Sequence, residues 1–77
     1  MENIVQPQAM VTLKVADDRD KTLWVTERPS QVVARIQDAK SGQGPHAPMI
    51  ELTRWRAMQT DVFYTRFDNV TNVESYR

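Results

Sequence analysis

A chain of 77 residues with no cysteine must be held together by a core it is barely long enough to build. A domain of this length buries only about 60% of the surface that its unfolded chain exposes. Small domains ordinarily add disulfides, a structural metal or a second copy of themselves. Without cysteine, disulfides and thiolate metal sites are excluded. The single histidine, His46, would need three carboxylates beside it to hold a structural zinc. The sequence therefore predicts one domain, no cofactor and no metal, with self-association as a homodimer as the remaining aid.

Charge narrows the partner. Ten basic residues face ten acidic ones, six of each sign in residues 1–48 and four of each in residues 49–77. Nucleic-acid binders usually carry a basic excess that neutralises phosphates, and anionic membrane surfaces ask for the same. The balance here favours a protein partner, or another copy of the chain, over nucleic acid, and no membrane. Seven of the ten cations are arginine, the residue favoured at protein interfaces, although genomic base composition gives the same skew. Residues 1–8 have neither the basic start nor the apolar run of a signal peptide. No stretch approaches the roughly 20 apolar residues of a membrane span, so the expected location is the cytoplasm. On that reading the sequon Asn69-Val70-Thr71 is coincidental.

Residues 1–9 read as a flexible leader, and 10–77 as the domain, in halves 10–41 and 49–77 joined by the loop 42–48. Val11, Leu13 and Val15 alternate with Thr12 and Lys14, the period of a half-buried strand. Ala16-Asp17-Asp18-Arg19-Asp20-Lys21 is a polar hairpin tip, and the chain returns through Thr22-Leu23-Trp24-Val25-Thr26. Pro29 suits the first turn of a helix over about 30–40, with Ser30 as a candidate cap and Gly42 just past its end. Its apolar stripe would be Val32, Val33 and Ile36, with Gln31, Arg35 and Asp38 facing water. In the second half Ile50 and Leu52 alternate with Met49, Glu51 and Thr53. Residues 54–60 read as a connection, residues 62–67 as the strongest strand, and residues 73–76 as a last short one. At an offset of 39 the halves correspond: Val11 with Ile50, Leu13 with Leu52, Leu23 with Val62 and Trp24 with Phe63. That suggests a ββα duplication sharing one sheet, since neither unit could bury its face alone.

The catalytic inventory is thin, and no enzyme is expected. His46 sits in a loop between Pro45 and Pro48, no serine lies in a nucleophile elbow, and the two glycines make no phosphate cradle. Asp17, Asp18 and Asp20 cluster without the glycine and distal glutamate of a calcium loop. The aromatics are more informative. Leu23 and Val25 point one way and Trp24 the other, while Val62 and Tyr64 oppose Phe63 and Phe67. If the helix covers the aliphatic face, Trp24, Phe63 and Phe67 share the opposite face with Met49. Alternatively these aromatics are simply core. Arg54-Trp55-Arg56 joins the residue types most enriched at binding hot spots, and basic residues around an aromatic also suit stacking on single-stranded nucleic acid. An exposed hairpin with its tryptophan lying on its own surface is the plainer alternative.

Met49-Ile50-Glu51-Leu52-Thr53-Arg54, with Val62 and then Val70-Thr71-Asn72-Val73-Glu74, resembles the small flagellar FlbD-type proteins, which open on Met-Ile-x-Leu-Thr-Arg and close on a short turn and strand. The stretch 62–73 is also similar to the last strands of Sm-like barrels. Here, however, the helix follows a hairpin, and no glycine marks a bent strand. Taken whole, the arginine-rich, cysteine-free chain resembles short open reading frames of actinobacteria and their phages. The resemblance implies an accessory protein that acts on a host or virion protein, and it transfers no site residue.

The expectation is an α+β fold, a mostly antiparallel sheet of four to five strands with one helix on one face. The expected function is a non-catalytic protein-binding module that self-associates. Its partner-binding residues would be Arg54, Trp55, Arg56, Trp24, Phe63 and Phe67. The alternative is a small nucleic-acid-binding module using Arg54, Trp55, Arg56 and Arg66.

Overall fold

The computed structural model describes residues 6–15 and 19–76. The elements run β1 (Ala9–Val15), β2 (Arg19–Val25), α1 (Pro29–Lys40), β3 (Met49–Arg56), β4 (Gln59–Arg66), a 3-10 turn (Phe67–Asn69) and β5 (Val70–Ser75). One antiparallel sheet takes the order β4-β3-β2-β1-β5, with α1 packed on one face, so the fold is α+β as the patterning predicts.

Ala9, Val11, Leu13, Leu23, Val25, Ile50 and Leu52 point to the helix side, where Val32 and Ala39 meet them. The stripe on α1 is Val32, Ile36 and Ala39, at helical spacing. Val33, expected in the stripe, is 42% exposed, and Arg35, expected in water, is half-buried. Ser30 does not cap the helix. Arg28 is the cap residue, and the Gln31 side chain reaches back to accept its backbone N–H at 2.9 Å. The end is as expected. Gly42 takes φ +78° and donates to the Ala39 carbonyl, a left-handed stop that favours glycine.

Pro7, Gln8 and Ala9, expected in the leader, are held by the fold. Pro7 is buried, the Gln8 N–H donates to the Val25 carbonyl, and the Tyr76 N–H donates to the Gln8 carbonyl. Residues 1–5, and Asp17 and Asp18 of the acidic cluster, lie outside the described residues. Residues 54–56 belong to β3 rather than to a connection.

The two hairpins do follow the same order, each ending in a helical segment, although the second is only a three-residue turn. The gap-free 39-residue correspondence holds for β1 and β3 but inverts the faces of β2 and β4. Leu23 is buried where Val62 is 57% exposed.

The β3–β4 turn is Ala57–Met58, with both residues at positive φ, +52° and +66°. Two-residue hairpin turns of this kind prefer Asn-Gly, because side chains crowd the backbone there. Replacing the pair by Asn-Gly (Ala57→Asn with Met58→Gly) is expected to stabilise the domain by about 1–2 kcal/mol and raise Tm by about 5–10 °C. Thermal unfolding measures this. A lowered Tm would mean that the tip side chains stabilise the fold by more than their backbone strain costs.

Candidate interaction surface

Alternation along the strands leaves Met10, Trp24, Trp55, Thr53, Glu51, Val62 and Tyr64 on the side away from α1. No element among the described residues covers that face. Trp24 and Trp55 are opposite neighbours in the β2–β3 register, with ring centroids 5.6 Å apart and planes tilted by 33°. Tyr76, just past β5, meets Trp24 edge-on at 5.5 Å. Trp24 is 40% exposed, Tyr76 38% exposed and Trp55 half-buried. Three aromatic rings thus form one contiguous patch on the open face.

Phe63 and Phe67 are not part of it. Both are half-buried and pack against the core on the helix side. The register explains the correction. Phe63 stands opposite Leu52, and residues opposite one another share a face, so Phe63 follows Leu52 inward and sends Val62 and Tyr64 outward.

The Arg54-Trp55-Arg56 triplet is split in the same way. Arg54 points to the helix side, where its guanidinium lies 5.6 Å from the Phe63 ring centre and forks onto Asp61 at 3.0 and 2.6 Å. The hydrogen bonds that Arg54 donates, ahead of the charge attraction, hold the Asp61 carboxyl below the usual carboxylate range, and the same bonds push the Arg54 guanidinium up. Arg54 is therefore paired within the β3–β4 hairpin and lies on the other face from Trp55. Arg66 forks likewise onto Asp68, at 3.0 and 3.2 Å. Arg56 and Lys21 are exposed at the rim of a cleft of about 230 Å³ between residues 21–24 and 54–57, where the two hairpins part.

β2 and β3 pair over a very short stretch, Trp24 with Trp55 and Val25 with Arg54, extended by the Thr26 N–H donating to the Thr53 carbonyl. Beyond Thr26 the chain bends away and leaves β3 without a strand neighbour on its β2 side. Side chains take over. The buried carboxylate of Glu27 accepts the Thr53 N–H at 2.9 and 3.0 Å, and Arg35 donates to Glu27 at 2.8 Å and to the Glu51 carbonyl at 2.6 Å. Nothing in the sequence pattern marks Glu27.

A second cluster also escaped the sequence reading. The Tyr64 hydroxyl donates to Glu51 Oε1 at 2.8 Å, and the His46 ring lies edge-on to Tyr64 at 5.1 Å, with Nε2 3.8 Å from the same oxygen. The bond to Glu51, and then desolvation, push the Tyr64 hydroxyl up. Register alone could have placed Tyr64 opposite Glu51 once the turn was known. All three groups are partly exposed, and among the described residues no cluster of three or more metal-ligating side chains occurs. No helix there is long and apolar enough to cross a membrane.

Among the described residues the sheet is thus covered by α1 on one face and carries an aromatic cluster on the other. No family model, curated protein or solved structure matches the chain.

Proposed function

We propose that this is a non-catalytic protein-binding module that also self-associates, and that it meets its protein partner through the Trp24–Trp55–Tyr76 patch. The supporting observation is that three rings converge on a sheet face that no described element covers. Tryptophan and tyrosine are the residues that most often anchor interfaces. The cations near the patch do not make a field of one sign, because Arg54 is tied to Asp61. A protein partner fits that balance better than a polyanion. The cytoplasm remains the expected location, and a host or virion protein is the partner that the phage-like style of the chain suggests.

Capture by the tagged protein from a lysate of the cells that produce it, with and without nuclease, tests the reading. A stoichiometric protein that resists nuclease and falls at least about tenfold with Trp24→Ser or Trp55→Ser is expected, the size of loss that follows from truncating a hot spot. Full capture by both folded variants would remove the patch assignment. One observation favours a second reading, a single-stranded nucleic acid stacked on the tryptophans, because Lys21 and Arg56 flank them at the cleft. That reading predicts binding that collapses with nuclease and weakens steeply with salt.

A further inference from the structure

Among the described residues both edges of the sheet are open, but they are not alike. β5 is six residues long, and its pairing with β1 is broken by a register shift at Thr12/Leu13. Short, bulged edges resist pairing with another chain. β4 is eight residues long, contains no proline, and keeps one uninterrupted register with β3. Its two charged side chains are both occupied, Asp61 by Arg54 and Arg66 by Asp68, so neither stands as a bare charge to repel a second strand.

The hydrogen-bonding parity of β4 is fixed. The Phe67 N–H donates to the Pro48 carbonyl, and the bonded pairs then alternate down the hairpin through Thr65, Phe63, Asp61 and Gln59. The backbone groups of Thr60, Val62 and Tyr64 therefore point away from β3, along the free edge. The side chains of Val62 and Tyr64 are 57% and 46% exposed.

From this we infer that β4 pairs antiparallel with β4 of a second copy, around a two-fold axis at Phe63, joining two five-stranded sheets into one of ten. It deepens the self-association in the function proposed above by naming where the copies meet. With Phe63 opposite Phe63, Val62 of each copy falls opposite Tyr64 of the other, and Thr60 opposite Arg66. Every cross-strand pair stays on one face, the outward backbone groups of one edge meet those of the other, and no like charges face each other. Aromatic with β-branched pairs of this kind stabilise sheets. The interface is isologous, as closed dimers require. Being a strand edge, it is small, and a weak dimer that forms with rising concentration is expected.

Sedimentation equilibrium over a range up to about 300 µM tests it, on the wild type and two variants. Val62→Pro deletes an N–H that β3 does not use, which edge strands tolerate. Val62→Glu keeps the N–H but brings like charges into diagonal contact across the axis. The wild type is expected to dimerise, and each variant that keeps a cooperative melt is expected to shift toward monomer by at least about tenfold in dissociation constant. If Val62→Pro does not fold, Val62→Glu alone decides. A wild type that dimerises and variants that dimerise equally well would overturn the β4 edge while leaving self-association intact. A wild type that stays monomeric throughout would overturn both, without touching the Trp24–Trp55–Tyr76 contact.

Discussion

Leu52→Ala is expected to lower Tm by about 12–32 °C and to leave the domain at the margin of folding. Leu52 is fully buried, on the central part of β3, opposite Phe63 and beneath the helix. Truncating a buried leucine removes its transfer energy and leaves a cavity, together about 3–4 kcal/mol here. A domain of this length has a total stability of roughly 4–11 kcal/mol, so the loss is a large fraction of it. At about 4–8 °C per kcal/mol for so small a protein, the fall in Tm follows. Thermal and urea unfolding should agree. Val62→Ala, on an exposed position of the neighbouring strand, should change stability by less than about 0.5 kcal/mol. If the two substitutions cost the same, the burial assigned to Leu52 is wrong.

Glu27→Ala should cost about 2–3 kcal/mol, as much as many core truncations, although a polar surface residue is what the sequence suggests. Its carboxylate stands where a strand neighbour of β3 would be, accepting the Thr53 N–H and the Arg35 guanidinium at once. Removing it leaves a half-buried backbone donor with no acceptor, which is the costly kind of lost hydrogen bond. Arg35 moderates the effect. Its side chain is 40% exposed, so water takes over part of its lost pairing, and the full penalty of a broken buried ion pair does not apply. Arg35→Met should cost less, about 1 kcal/mol, because Thr53 keeps its acceptor and the methionine retains the apolar stem. The double variant should be less than additive by an amount that urea melts can resolve. A cost below about 0.5 kcal/mol for Glu27→Ala would mean that solvent reaches the Thr53 N–H and that the carboxylate is not structural.

Alternation made the first hairpin legible. Leu23 and Val25 had to face one way and Trp24 the other, and they do. Gly42 announced the end of the helix. The second hairpin was legible as strand but not as face, because face depends on register and register depends on the turn. Ala57–Met58 carries none of the Asn-Gly chemistry that marks a two-residue turn, so residues 54–60 looked like a longer connection. With the turn misplaced, Phe63 and Phe67 could be read either on the face of Trp24 or as core, and only the second reading matches their packing, while the pairing of Arg54 stayed hidden. Its bidentate partner Asp61 is seven residues away along the chain and directly opposite in register. Glu27 was illegible for a different reason. Its role arises only because β2 turns away from β3 after Val25, a property of the whole sheet. Tyr76 joined the patch because β5 returns beside β1, which no local pattern encodes.

The short seam between β2 and β3 has a thermodynamic consequence. β1, β2 and β5 are laced along most of their lengths, and β3 with β4 along all of theirs, whereas the two groups are stitched by little more than three residues, a carboxylate and the helix. Partial openings follow the weakest boundary, so the two strand groups are expected to open as separate cooperative units of unequal size. The smaller unit, the β3–β4 hairpin, can loosen from its neighbour while keeping its own ladder. Amide protons along the seam would then exchange through an event cheaper than global unfolding, and the tryptophan pair that straddles it would report each opening in its fluorescence.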